Sequence, residues 1–550
     1  MANSLAGLIN RYQHLEQDNP QSWPGLGNNN QAQKKAGLQA LQSAVNALPR
    51  QHLSFSEKMS TKVLTWRLNT ELQALAFHSD RIAFDNGDGF FNTATYTAQV
   101  TRIQNPSDAQ HWLDRLQQLP AYYQLQMARM QKGIDSGFTQ PKPTVTSVIN
   151  ILSARIKAPL TQSPLLEPID HSTALSAAQK AQWRDKVVAL LAAKVRPSEK
   201  ALLAFFKNQY LPHARPKLAA RSLPNGERYY PFLVRKMTTT DMTPAEVFAL
   251  GQGQIKVIRA KMQAILAAQG FDGSVHDYAQ KLLNDPNNFA ADLPTFIKDA
   301  RAVGKQLDYL LPRYFGRLPR LTWGIEQKPP SLDASSGGYF LGDPKTGNAG
   351  AVMVGTQSYH DPLFSLPAWV MHEGVPGHHL QIALAQENSA LPFFQRSDDV
   401  TAFVEGWALY SETLGNEMGI YDTPAKRFGQ LSMQMWRACR LVMDTGIHWY
   451  GWSAAKARQC LADNTALPAK VIDGEVQRYI AWPGQALAYY VGQMAFEKAR
   501  QRAQAALGDK FDIRAFHDAV LQMGSVPLTV LSAVTDHFIA TGGRDPYSTM

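Results

Sequence analysis

Between Trp369 and Gln381 the chain reads W-V-M-H-E-G-V-P-G-H-H-L-Q, which sets His372, Glu373, His378 and His379 close together. Neutral imidazoles bind Zn²⁺ at about 2.0–2.1 Å, and a catalytic zinc keeps three protein ligands with a fourth position for water. A carboxylate beside the first histidine supplies the base that takes the proton of that water. The pattern therefore predicts a helix on which His372 is a metal ligand and Glu373 a general base.

The usual helical form of this device is H-E-x-x-H, in which positions i and i+4 share a face. Here the i+4 residue is Pro376, which cannot bind a metal. On an unbroken helix His378 would lie about 9 Å along the axis and about 120° around from His372. Pro376 has no N–H for the His372 carbonyl, and Gly377 gives freedom for a non-helical excursion. Two residues looped out bring His378 into the i+4 phase; three bring His379. The reading takes His378 as second ligand and keeps His379 as a partner of a ligand or a substrate contact. Capping or core histidines around a kinked helix are the plainer alternative, which suits a single histidine better than this cluster.

A third ligand is expected from D-D-V-T-A-F-V-E-G-W-A-L-Y-S-E-T, residues 398–413. Val400, Phe403, Val404 and Trp407 follow the spacing of an amphipathic helix, and Glu405 sits within that apolar surface. A carboxylate there is costly unless paired or metal-bound, so Glu405 is the expected third ligand. Glu412, two turns further on, reads either as a hydrogen-bond partner for a ligand histidine or as a solvated helix carboxylate.

A later run, R-Y-I-A-W-P-G-Q-A-L-A-Y-Y-V-G-Q, covers residues 478–493. Pro483 suits the first turn of a helix, which would set Gln485 and Tyr489 at i and i+4 on one face. Tyr489 is the expected hydrogen-bond donor to a tetrahedral oxyanion, with Tyr490 as alternative. Arg478 is suited to holding a substrate carboxylate through parallel hydrogen bonds, and Tyr479 to lining the same wall. Each also has a purely structural reading, as an ion pair or a core tyrosine.

Three short runs precede the metal motif: Leu321 to Ile325, Gly338-Tyr339-Phe340-Leu341, and Ala351 to Val354. They predict a small sheet, whose edge would receive a peptide through main-chain hydrogen bonds or serve structure alone. Gly337 and Gly338 would allow close backbone approach. The site helix should begin after Ser365, with Pro367 in its first turn.

H-E-G-V-P-G-H-H-L-Q, F-V-E-G-W-A-L-Y-S-E and the third run, in that order, resemble the bacterial domain-of-unknown-function family number 885, grouped with gluzincin-like metallopeptidases. The resemblance covers nearly the whole chain. It implies a mainly α, zincin-like helical metallopeptidase similar in architecture to the thimet-type oligopeptidases. The expanded spacing before His378 agrees with that family and departs from H-E-x-x-H enzymes at large.

Elsewhere the periodicity is helical. Thr243-Pro-Ala-Glu246 forms a capping box, and amphipathic stretches cover Ala174–Lys194, Ala201–Tyr210, Leu293–Leu311, Pro424–Tyr450, Gln485–Ala506 and Ile513–Met523. A length of 550 residues gives a prior of roughly 3–4 domains, yet no linker, charge block or repeat divides the chain. Pro-rich stretches near Gln140–Thr144 and Glu326–Pro330 come closest. We expect an N-terminal helical region over 1–160 and a catalytic region over 161–550, as one continuous body in two lobes around a cleft.

Charged residues make up 18% and hydrophobic ones 45% of the chain, a balance that supports a core and is too polar for a membrane protein. The net charge of +10 is scattered, without a run of nucleic-acid type. Cys439 and Cys460 are too few for a Cys-rich zinc site, and a fold this large does not need their pairing, though it permits it. The opening M-A-N-S-L-A-G-L lacks the features of a signal peptide. As written the chain reads as cytoplasmic; the resemblance implies periplasmic export if a leader has been trimmed. The expected function is zinc-dependent hydrolysis of short peptides with one ion per chain. Its alternatives are a metal-dependent ester or amide hydrolase and a non-catalytic metal- or peptide-binding protein. Endo- or exo-cleavage, side-chain preference, native metal and oligomeric state are not legible here.

Overall fold

In the computed structural model, which describes residues 4–16, 21–26, 31–329, 338–397 and 399–547, helices begin where the sequence places capping residues. Thr243 accepts the amide of Glu246 while the Glu246 carboxylate accepts that of Thr243, which starts α1 (Pro244–Ala268). Asp292 caps α2 (Leu293–Leu310) with a proline in the first turn. The three β runs form β1 (Trp323–Gln327), β2 (Gly338–Phe340) and β3 (Gly350–Val354) in the order β1-β3-β2. β3 runs parallel to β1, with Trp323 opposite Gly350, and antiparallel to β2, with Tyr339 opposite Val352. Gly337 and Pro330 lie outside the described residues.

The sheet leads into α3 (Leu366–Glu373) and α4 (His378–Glu387), followed by α5 (Thr401–Glu417), α6 (Pro424–His448), α7 (Ala454–Asn464), α8 (Ala469–Ala481) and α9 (Leu487–Leu507). α6 is buried almost without interruption from Phe428 to His448, as a helix enclosed on all sides must be. α1 approaches it through Gly251, where an added Cβ would meet Leu441 at 2.7 Å. Cys439 of α6 and Cys460 of α7 form a disulfide, with Cα atoms 5.8 Å apart. The chain is thus mainly helical with one small sheet. Among the described residues no helix is long and apolar enough to cross a membrane.

By its contacts the chain divides into two compact units. The first takes Met1–Ala47, Leu68–Glu227 and Ile480–Trp482; the second takes Leu48–Arg67, Arg228–Tyr479 and Pro483–Met550. The position between residues 160 and 161 at which the two regions were expected to meet falls inside the first unit. Val148 and Leu152 share one buried cluster with Trp183, Val187, Phe206 and Tyr210, and a shared apolar core leaves no boundary there. Expected helices Ala174–Lys194 and Ala201–Tyr210 join into a longer run, in which π-helical turns at Leu191–Val195 and Phe206–Tyr210 flank Arg196–Phe205.

Candidate metal centre

α3 starts after Ser365 with Pro367 in its first turn and carries His372 and Glu373 at its end. Gly374 breaks it, since a Cβ there would lie 2.4 Å from the Trp323 ring. The chain then bulges and resumes helix at His378. Gly377 closes this bulge by donating its amide to the Met371 carbonyl at 2.9 Å. Close approach demands glycine here: an added Cβ would sit 2.0 Å from the His372 carbonyl oxygen. Trp407 of α5 donates its indole N–H to the Pro376 carbonyl at 2.8 Å, which pairs a buried acceptor that the broken helix leaves open.

The bulge brings the His372 and His378 rings to 4.8 Å between centroids. Glu405 of α5 faces both, with Oε2 3.4 Å from His372 Nε2 and 3.5 Å from His378 Nε2. One ligand atom from each of the three lies within 4.8 Å of the others. Burial alone would raise the Glu405 carboxyl, but the two imidazoles outweigh it and hold the group well below the usual carboxylate range. Glu405 Oε2 and His378 Nδ1 are both buried without a hydrogen-bond partner among the described residues. Two imidazole nitrogens and a carboxylate oxygen are a donor set suited to a divalent transition ion, and the unsatisfied Glu405 oxygen fits such an ion.

Behind His372, Nδ1 lies 2.8 Å from Glu412 Oε1. Glu412 is 0% exposed, so the solvated reading does not apply. Arg437 Nη2 stands 3.4 Å from the same oxygen, and Tyr421 donates its hydroxyl to the Glu412 main-chain carbonyl. With Nδ1–H donating to Glu412, the Nε2 side of the ring faces Glu405. Burial disfavours the imidazolium, yet Glu405, Glu412 and Glu373 outweigh it and raise His372 to about 9. The charge of Asp399, just before α5, also reaches Glu405 and His378, a neighbour the sequence reading passed over.

His379 stands outside the ligand group. Its Nε2 donates to the Leu321 carbonyl at 3.1 Å, and its Nδ1 accepts from the Tyr339 hydroxyl at 3.0 Å. Burial pushes its pKa down to about 4, so it is neutral and ties α4 to the sheet. Tyr339 does a second job, since its amide donates to Glu373 Oε2 at 2.9 Å. The residue expected as base is therefore oriented by the β2 backbone.

The third motif departs from expectation in three places. Helix α9 begins at Leu487, not near Pro483. Gly484, at φ +86°, gives its amide to both carboxylate oxygens of Asp444 at 3.0 Å, and this pinned turn delays the helix. Tyr490, the alternative donor, turns to Gln254 of α1 at 3.1 Å, because adjacent helical residues project from different sides. Tyr479 lines no substrate wall: it is 0% exposed, donates to Glu475, and accepts from Arg440 Nε and Trp436 Nε1.

Tyr489 lies within electrostatic reach of Glu405. Its hydroxyl accepts from Arg478 Nη2 at 2.9 Å and from Gln485 Nε2 at 3.4 Å, which leaves its own hydrogen to donate elsewhere. Burial and then the nearby charge of Glu405 keep the phenol protonated, outweighing Arg478 and Arg440. α5 and α9 meet through glycines, and a Cβ on Gly406 would lie 2.4 Å from Gly492 Cα. Arg437, Arg440, Asp444 and Glu475 were not read from the sequence. The available signal was Arg437 and Arg440, one turn apart within an apolar stretch of α6, where an exposed face would have carried more polar residues.

Fold and site define a mainly helical protein in which a small sheet leads into a buried cluster of two histidines and a glutamate. The chain belongs to the family described as bacterial proteins of unknown function, DUF885, which matches residues 4–534. A crystal structure described as "the putative lipoprotein from Colwellia psychrerythraea" is similar, with 25% identity and a TM-score of 0.87 over 92% of this chain and 91% of that one. A second, "a putative lipoprotein of unknown function from Shewanella oneidensis", has 17% identity and a TM-score of 0.72 over 96% of this chain and 99% of that one. No curated protein matches the sequence.

Proposed function

We propose that the protein is a zincin-like, zinc-dependent peptidase that hydrolyses short peptides, with His372, His378 and Glu405 holding one ion per chain. The convergence of those three ligand atoms within 4.8 Å, with Glu373 adjoining the first, carries this reading. When bound, such an ion supplies Lewis acidity and makes a water acidic enough to lose a proton near neutral pH. Glu373, oriented by the Tyr339 amide, accepts that proton and returns it to the departing amine as the C–N bond breaks. Tyr489 spends its free O–H on the oxyanion formed as water adds to the carbonyl. Glu412 holds the His372 ring, and His379 braces the strand that presents Tyr339.

Mass spectrometry of a mixed peptide digest incubated with the zinc-loaded protein tests this. Discrete cleavages are expected, and Glu373→Gln should lower turnover roughly 10²–10⁴-fold, the usual worth of a positioned base, while zinc stays bound. Full activity in that variant would refute the assigned base. We also propose that the protein works outside the cytoplasm: a Cys439–Cys460 disulfide persists in oxidising compartments, and the two similar structures are described as lipoproteins. Fractionation of cells carrying the native gene should find it in the envelope, and a cytosolic location would contradict this.

A further inference from the structure

Beside Tyr489, two guanidinium groups share one carboxylate. Arg440 Nη2 lies 2.8 Å from Glu475 Oε2, and Arg478 Nη1 lies 3.4 Å from Glu475 Oε1. Glu475 stays ionised: burial would raise its pKa, but the two arginines and Tyr479 bring it down to about 2. One positive charge is left over. Arg440 is 2% exposed, and its Nη1 is buried with no hydrogen-bond partner. Arg478 keeps 29% of its side chain exposed, so the surplus charge reaches solvent through it. Both guanidiniums lie against the Tyr489 ring, at 4.1 Å and 5.8 Å from its centroid. Tyr489 is within electrostatic reach of Glu405.

A structural ion pair needs one arginine for one carboxylate. A second arginine, partly open to water, and a buried Arg440 donor left unpaired describe a place for an anion that arrives from outside. Every unblocked peptide carries one such anion, the C-terminal carboxylate, which the Arg478 N–H groups left over from Glu475, Gln485 and Tyr489 would receive through charge-assisted hydrogen bonds. We infer that Arg478, supported by Arg440, anchors the C-terminal carboxylate of the substrate, so that the protein removes residues from the C-terminal end of short peptides. This rests on the peptidase reading, because the anchor fixes the cleavage position only if the centre cuts.

The test compares binding of N-acetyl-trialanine and its C-terminal amide to the zinc-loaded Glu373→Gln protein by calorimetry, alongside product analysis with the unmodified protein. The free acid should bind at least tenfold more tightly, and Arg478→Gln should remove that preference while Arg478→Lys retains part of it. The unmodified protein should release C-terminal residues from the acid and cut the amide slowly. Equal affinity for acid and amide, or failure to bind either, overturns the anchor. So does a preference that survives in Arg478→Gln, since the carboxylate is then held by another cation. If Arg478→Gln does not fold, the Arg478→Lys variant and the comparison on the unsubstituted anchor still decide. A clear acid preference without any cleavage would uphold the anchor and remove the peptidase reading instead.

Discussion

His372 lies between two carboxylates, and each meets a different ring nitrogen. Glu412 takes the Nδ1 side and Glu405 the Nε2 side, so one imidazole is held by a buried partner and aimed at the space His378 also faces. Without an ion this arrangement favours a proton, which is why His372 is raised from about 6.5 to about 9. The stability gained from that charge is complete below about 6.5 and is lost as pH rises through about 9. A metal must displace the proton, so zinc affinity should rise by up to about tenfold per pH unit between pH 7 and 9 and then level off. Competition titrations with a buffered chelator would show it; a flat profile would contradict the assignment. Glu412→Gln should weaken zinc roughly 10–100-fold, the usual effect of losing a ligand's supporting partner, as the same titration would measure. His372, Glu373 and Glu405 were legible because the chemistry dictates residue type and helical phase. The choice between His378 and His379 was not, because it depends on how many residues the bulge holds. Arg437 and Arg440 went unread since arginines on a helix are usually taken for its solvated face.

Among the elements, the bulge between α3 and α4 carries most of the specificity. It is closed by a Gly377 amide, covered by the Trp407 indole, and made possible by a missing Cβ. Gly377→Ala would put a carbon 2.0 Å from the His372 carbonyl, and backbone cannot yield as a side chain does. The variant should lose about 1–3 kcal/mol of stability, the scale of overpacking, together with much of its zinc affinity. Thermal unfolding with and without zinc would record both; a wild-type melting curve and metal content would contradict the packing argument. The Pro-Gly pair announced this break. Neither the Met371 carbonyl nor Trp407 could be assigned to it, because their contact is made by folding. The start of α9 shows the same limit: Pro483 looked like a first-turn proline, while Asp444, 40 residues earlier, captures the Gly484 amide and postpones the helix.

For the whole molecule, the class was readable from periodicity, and the sheet from three short apolar or β-branched runs. The division into units was not, since Leu48–Arg67 joins the second unit while the segments around it join the first. No composition shift marks such a crossing. The disulfide closes a loop with a sequence separation of 21, which by chain entropy stabilises by about 3 kcal/mol. Cys460→Ser should lower the denaturation midpoint accordingly, and an unchanged midpoint under oxidising conditions would contradict the pairing. The most direct test of the central claim is anomalous diffraction at the zinc edge from crystals of the zinc-loaded protein. A single strong peak within bonding distance of His372 Nε2, His378 Nε2 and a Glu405 oxygen is the predicted result. Density lacking such a peak between them, at full zinc loading, would contradict the account.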